Sequence, residues 1–197
     1  MKVVFVTGKQ GSGKSFVAKT LAGEGLAACI DVDSILVGGA KKWLDAADRD
    51  PTEWALWEEK AKRSDLRPVL RDTIHDRYGS LAASGNDLVA EGAILCNDWF
   101  LEPFVEVLFE ALKLKDAEQY FIYVNPSDAV LFANILHRAK RIPSRRHELK
   151  IFTSVRATGD RHAGFVRSIS TERWTSLETK EEALERVKQI LLATSRT

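Results

Sequence analysis

The chain is poor in several things. Its 197 residues include two cysteines, one methionine and five prolines. Two thiols, Cys29 and Cys96, build no disulfide framework. Each lies in an apolar stretch, so both are expected to be buried and reduced. Long apolar runs are missing as well. Val3 to Val6 near the start is too short for a signal-peptide core. No window approaches the roughly 18 apolar residues of a membrane-spanning helix. The expectation is a soluble, cytoplasmic protein with no membrane partner. Excess charge is also lacking: Lys+Arg is 29 against Asp+Glu 28, a net of +1. Nothing in that total calls for a polyanionic partner. His75, His137, His147 and His162 lack metal-ligand spacing with the cysteines, so no zinc site is expected.

What is present fits an ordinary globular chain. Hydrophobic residues make up 45% and charged residues 29%, which excludes a disordered or low-complexity protein. The length fits one domain over 1–197. Val3-Val4-Phe5-Val6 reads as a strand buried on both faces. Further strands are expected at Leu26–Ile30, Asp87–Ala90, Gln119–Val124 and Phe165–Ser170. Helices are expected at Ser15–Leu21, Ser34–Ala47, Pro51–Arg63, Leu66–Ser84, Asp98–Leu114 and from Pro126 or Ser127 to Lys140. Thr179-x-x-Glu182 is a capping box opening a final helix. Strands alternating with helices imply an α/β sheet with parallel pairing.

Gly8-Lys9-Gln10-Gly11-Ser12-Gly13-Lys14-Ser15 fits G-x4-G-K-[ST] in full, between a buried strand and a helix. Such a loop wraps phosphate oxygens with inward-pointing backbone N–H groups and the positive end of the following helix. Gly8, Gln10, Gly11, Ser12, Gly13, Lys14 and Ser15 are therefore the expected nucleotide-binding residues. Lys14 neutralises the β- and γ-phosphates and Ser15 ligates Mg²⁺. The cofactors implied are ATP and Mg²⁺.

Carboxylates close the next two strands. Asp31 and Asp33 follow the second, where ligands bind in open parallel sheets. Asp33 either orients an attacking hydroxyl or, with Ser34, caps the next helix. Asp31 is a candidate for holding Mg²⁺ through water. Glu91 ends the third strand, as a metal carboxylate, a substrate contact or a partner for a nearby cation. Trp99 could line an acceptor pocket; Trp174 reads as core.

The neutral total hides an asymmetry. From His137 to Arg167 there are nine basic residues and two acidic ones, a net of +7, which leaves −6 for the rest. A cationic flap suits charge stabilisation during phosphoryl transfer. Arg138 and Arg141 are its first candidates, then Arg145 and Arg146.

Taken in order, the Gly8–Ser15 loop, Asp31-Val32-Asp33, Glu91-Gly92 and the Arg138/Arg141 segment resemble the P-loop kinases of nucleotides, nucleosides and small metabolites. That family includes adenylate, shikimate, gluconate and dephospho-coenzyme A kinases. The resemblance implies a three-layer P-loop fold with a five-stranded parallel sheet ordered 2-3-1-4-5. It implies a helical acceptor-binding region over 34–84 and a mobile basic lid over 141–164. It also implies transfer of the γ-phosphoryl group of ATP to a hydroxyl or phosphate. Lys14, Asp33, Arg138 and Arg141 would be catalytic, with Arg138 also near the nucleotide. Asp31, Asp33, Glu91, Trp99 and Arg145 would bind the acceptor, and Ser15, Asp31 and Glu91 would hold metal. Two alternatives stand beside this reading. One is a kinase acting on a DNA end or modified base, motivated by the +7 segment and the tryptophans. The other is a nucleotide switch or ATPase.

Overall fold

The computed structural model describes residues 1–36, 65–142 and 174–193. Five strands form one all-parallel sheet: β1 (Lys2–Gly8), β2 (Ala28–Asp31), β3 (Leu88–Glu91), β4 (Glu118–Val124) and β5 (Thr175–Leu177). Their spatial order is β2-β3-β1-β4-β5, as expected. All seven residues of β1 are buried, which explains its unbroken apolar reading. Its registers with β3 (Val6 opposite Glu91) and β4 (Thr7 opposite Tyr123) bring the strand ends together at one edge of the sheet.

Each face of the sheet has its own apolar layer. On one face Phe5 stacks on Phe121 at 4.9 Å and meets Phe104 edge-on at 6.5 Å. The helices there are α2 (Arg67–Tyr78) and α3 (Asp98–Ala111). On the other face Val4, Val6 and Val124 pack with Val17, Ala18 and Leu21 of α1 (Lys14–Gly23), and with Val187 and Ile190 of α5 (Lys180–Leu192). The layers are independent because strand side chains alternate between faces. Between β4 and β5 lies α4 (Asp128–Arg141), capped by the Ser127 hydroxyl.

Several boundaries differ from the sequence expectation. The helix after β2 begins at residue 32, two residues early, because Asp31 is its cap: the Asp31 carboxylate accepts the Ser34 N–H at 2.9 Å. The fifth strand is Thr175–Leu177 at the sheet edge. Three residues with no hydrophobic run carry almost no sequence signal. The expected strand at Phe165–Ser170 lies outside the described residues, as do the helix over Pro51–Arg63 and the lid beyond residue 142. Past Tyr78, α2 tightens into a 3₁₀ turn, Gly79–Ser84. The capping box of α5 is complete: Thr179 accepts the Glu182 N–H, and Glu182 accepts the Thr179 N–H.

Candidate active site

The Gly8–Ser15 loop leaves β1 and turns directly into α1. Gly13 caps that helix with φ +98°, a left-handed conformation that costs glycine little. A methyl group there would also lie 2.7 Å from Lys180 Cβ of α5. Phe16 and Val17 donate their N–H groups back to the Gly13 carbonyl, at 2.9 and 3.2 Å. The Lys14 and Ser15 amides precede them, at the helix start, where no earlier turn can accept them. Ser12 is 2% exposed, and its hydroxyl has no hydrogen-bond partner among the described residues. Such a buried orphan costs about 1–3 kcal/mol. Lys14 is buried too, at the positive end of α1. Unmet donors and a buried cation therefore fall within one four-residue stretch, Ser12 to Ser15. An anion with several oxygens is the complement of that arrangement.

Beside the loop, Glu91 is buried and its carboxylate accepts the Ser15 hydroxyl at 3.0 Å. Burial holds the Glu91 carboxyl above the ordinary carboxylate range. The Lys14 charge and the Ser15 bond pull it back, and the Asp31 and Asp33 charges push it up again. This pair of oxygens fits Mg²⁺, which keeps water and phosphate oxygens in its shell and needs only one or two protein ligands. Among the described residues no three His, Cys, Asp or Glu side chains gather as a self-sufficient metal site. Asp31 spends one carboxylate oxygen on its helix cap, accepting the Ser34 N–H.

The ends of β1 and β3 are pinned together. The Thr7 hydroxyl donates to the Gly92 carbonyl at 2.7 Å, and the Gly92 N–H donates to the Val6 carbonyl at 3.2 Å. Cys96 Sγ lies 2.9 Å from the Thr7 hydroxyl, and burial pushes that thiol up to about 12. Cys96 is buried, as expected, whereas Cys29 is only half-buried. Asp33 does something the sequence did not disclose. Its two oxygens accept the Ala93 and Ile94 N–H groups, both at 3.1 Å, so it ties the turn after β3 to the helix after β2. Gly92 makes room for it, since a Cβ there would meet Asp33 Oδ1 at 2.8 Å.

On the other side of the loop, α4 packs closely. Asn134 donates its amide to the Gly11 carbonyl at 2.9 Å, and Lys9 pairs with Asp128 at 3.5 Å. Leu131 and Ile135 are buried on this side. Arg138 follows Ile135 at helical spacing and continues the stripe. Arg141 is exposed one turn-end further on. Trp99 is half-buried and meets Phe100 edge-on at 5.8 Å, while Trp174 is core against Phe121. Arg145 and Arg146 lie outside the described residues. The contacts made by Thr7, Asn134 and Lys180 escaped the sequence reading. Thr7 adjoins the loop but lies outside its motif, Lys180 fills a variable position of the capping box, and only the packing of distant elements brings Asn134 and Lys180 to the loop.

Sheet order 2-3-1-4-5 with this loop after the central strand defines a P-loop nucleotide-binding α/β fold. No protein-family model matches the chain, and no curated protein matches it. Among solved structures it is similar to a gluconokinase from Sinorhizobium meliloti, with 16% identity, a TM-score of 0.49, and 96% of this chain and 93% of that chain covered. It is also similar to a shikimate kinase from Bacteroides thetaiotaomicron, with 14% identity, a TM-score of 0.49, and 98% and 99% covered.

Proposed function

We propose that this chain is a P-loop phosphotransferase that moves the γ-phosphoryl group of ATP to a hydroxyl of a small-metabolite or nucleotide-like acceptor. The observation that carries the reading is the orphaned, buried Ser12 hydroxyl beside the buried Lys14, next to the Ser15–Glu91 pair. A polyphosphate meets the unmet donors. Mg²⁺, when bound with those phosphates at Ser15 and Glu91, supplies charge neutralisation at the β- and γ-oxygens.

Carboxylates gather on the β2–β3 side of the loop, so the γ-phosphoryl group is delivered there. Asp33 keeps capacity to accept more, because a carboxylate has about four lone-pair sites and two backbone N–H groups use part of them. It suits an acceptor hydroxyl better than an anionic phosphate, which Asp33 and Glu91 would repel. A bond forms between the acceptor oxygen and the γ-phosphorus as the bond to the bridging oxygen of ADP breaks. The hydroxyl proton passes to Asp33. Arg138, one helical turn beyond Asn134 on α4, is assigned charge stabilisation on the donor side. Nothing in the described residues favours a nucleic-acid acceptor.

The test is a transfer screen with ATP labelled at the γ-position against polyols, sugars, hydroxy acids, nucleosides, nucleotides and DNA ends. Label is expected on one hydroxylated small molecule. Asp33→Asn should then lower kcat with little change in KM for ATP, by about 10²-fold or more. Label released only to water, whatever acceptor is offered, overturns the kinase reading in favour of an ATPase or switch.

A further inference from the structure

Beyond Lys14, a second lysine reaches the loop from the far end of the chain. Lys180 is the first residue of α5, and its stem lies across Gly13: the position of a Gly13 Cβ is 2.7 Å from Lys180 Cβ and 3.0 Å from Cδ. Its ammonium sits 4.7 Å from the centre of the Phe16 ring, in the first turn of α1. Phe16 is 43% exposed, unusual for a phenylalanine, so this cation faces an open apolar shelf beside the loop. Among the described residues the ammonium has one ion-pair partner, its exposed neighbour Glu181 at 3.6 Å. A solvated pair of this kind holds a lysine weakly.

The sheet order says which part of a nucleotide Lys180 can meet. Glu91 and Asp33 stand on the β3–β2 side of β1, while α5 packs against β4 and β5 and α4, which follows β4, reaches the loop through Asn134. A polyphosphate lying along the loop therefore has its reacting end toward Glu91 and its nucleoside end toward Asn134 and Lys180. We propose that Lys180 is a second cation of the phosphate site, swinging from Glu181 to the α-phosphate of the bound nucleotide. The buried Ser12 hydroxyl of the same loop, without a partner among the described residues, is the independent sign that a polyoxygen ligand belongs there. In consequence the C-terminal helix is fastened to the loop more tightly when nucleotide is bound.

This inference rests on the nucleotide reading of the loop, and the experiment separates the two. Binding of ATP and of a fluorescent ADP analogue is measured for the full chain, for Lys180→Met and for Lys180→Arg. Met keeps the methylene stem that covers Gly13, so thermal unfolding without nucleotide should be unchanged. Loss of one charge-assisted contact should weaken ATP and ADP by the same factor, about tenfold. KM for ATP should rise with kcat unchanged, the dependence of log Kd on log salt should become shallower, and Arg should restore binding. Equal affinities for Lys180→Met and the unaltered chain would sink the inference and leave the nucleotide reading standing. Weakening of ATP but not ADP would also overturn it, by moving the charge to the γ-phosphate. An unaltered chain that binds neither nucleotide overturns both.

Discussion

Two lysines at opposite ends of one strand have opposite fates. Lys2 opens β1 and is 4% exposed; Lys14 follows its other end and is 9% exposed. Burying either ammonium is costly unless it is paired. Lys2 Nζ donates to the carbonyls of Ile190 at 2.7 Å, Leu191 at 3.4 Å and also Ala193, at the C-terminal end of α5. That is the negative pole of a helix and the natural seat for a cation. Lys14 sits at the positive pole of α1, where the helix dipole opposes it, and no hydrogen bond from its ammonium is found among the described residues. Its compensation is the charge of Glu91. One lysine is satisfied by the fold. The other has no such acceptors among the described residues, which is what the proposed anion site at the carboxyl edge of the sheet requires.

The contrast can be broken from either side. Lys14→Met should lower phosphoryl transfer about 10²–10³-fold, the scale of losing one preorganised charge-stabilising donor. Its thermal midpoint should move less than that of the Lys2 variant. A loss of folding as large as Lys2→Met produces would mean that Lys14 is structural and the comparison false.

Glu91→Gln is the next largest. Activity and Mg²⁺ dependence should weaken about 10–100-fold, as when a group supporting a metal site is removed. Stability should respond the other way. Glu91 has a native pKa raised above 4.5, so the folded chain binds more protons than the unfolded one between those values. Stability without nucleotide therefore falls as pH rises from about 4.5 through the native value. Gln removes that loss, so the variant should melt no lower than the unaltered chain at neutral pH. Melting curves over pH 4–8 check the sign.

Lys2→Met should be the mildest for catalysis. It removes charge-assisted bonds that contribute about 1.5–3 kcal/mol. In a chain of this size that lowers Tm by roughly 3–12 °C. Transfer activity at low temperature should stay within about twofold, since Lys2 lies a full strand away from the loop.

The legible parts of the site were local in sequence. Gly8 to Ser15 declares itself because backbone curvature, amide direction and charge are all set within eight neighbouring residues. The Thr179–Glu182 capping box was readable for the same reason. Asp31 and Asp33 could be picked out as strand-end acids, but their work could not be divided. One caps a helix and the other clamps two amides some sixty residues away, a clamp that a Cβ at Gly92 would crowd at 2.8 Å. Asn134 on Gly11 and Lys180 on Gly13 were invisible, because helices more than a hundred residues along the chain deliver them.

By itself, then, the sequence determined that a buried strand, a phosphate loop and a helix follow one another here, and that α/β layering surrounds them. Hydrophobic alternation and glycine chemistry are short-range properties, written in adjacent residues. Only the tertiary structure decided which of two buried lysines is satisfied. Helix poles and strand ends acquire neighbours when crossover connections close the sheet, and those neighbours come from both ends of the chain.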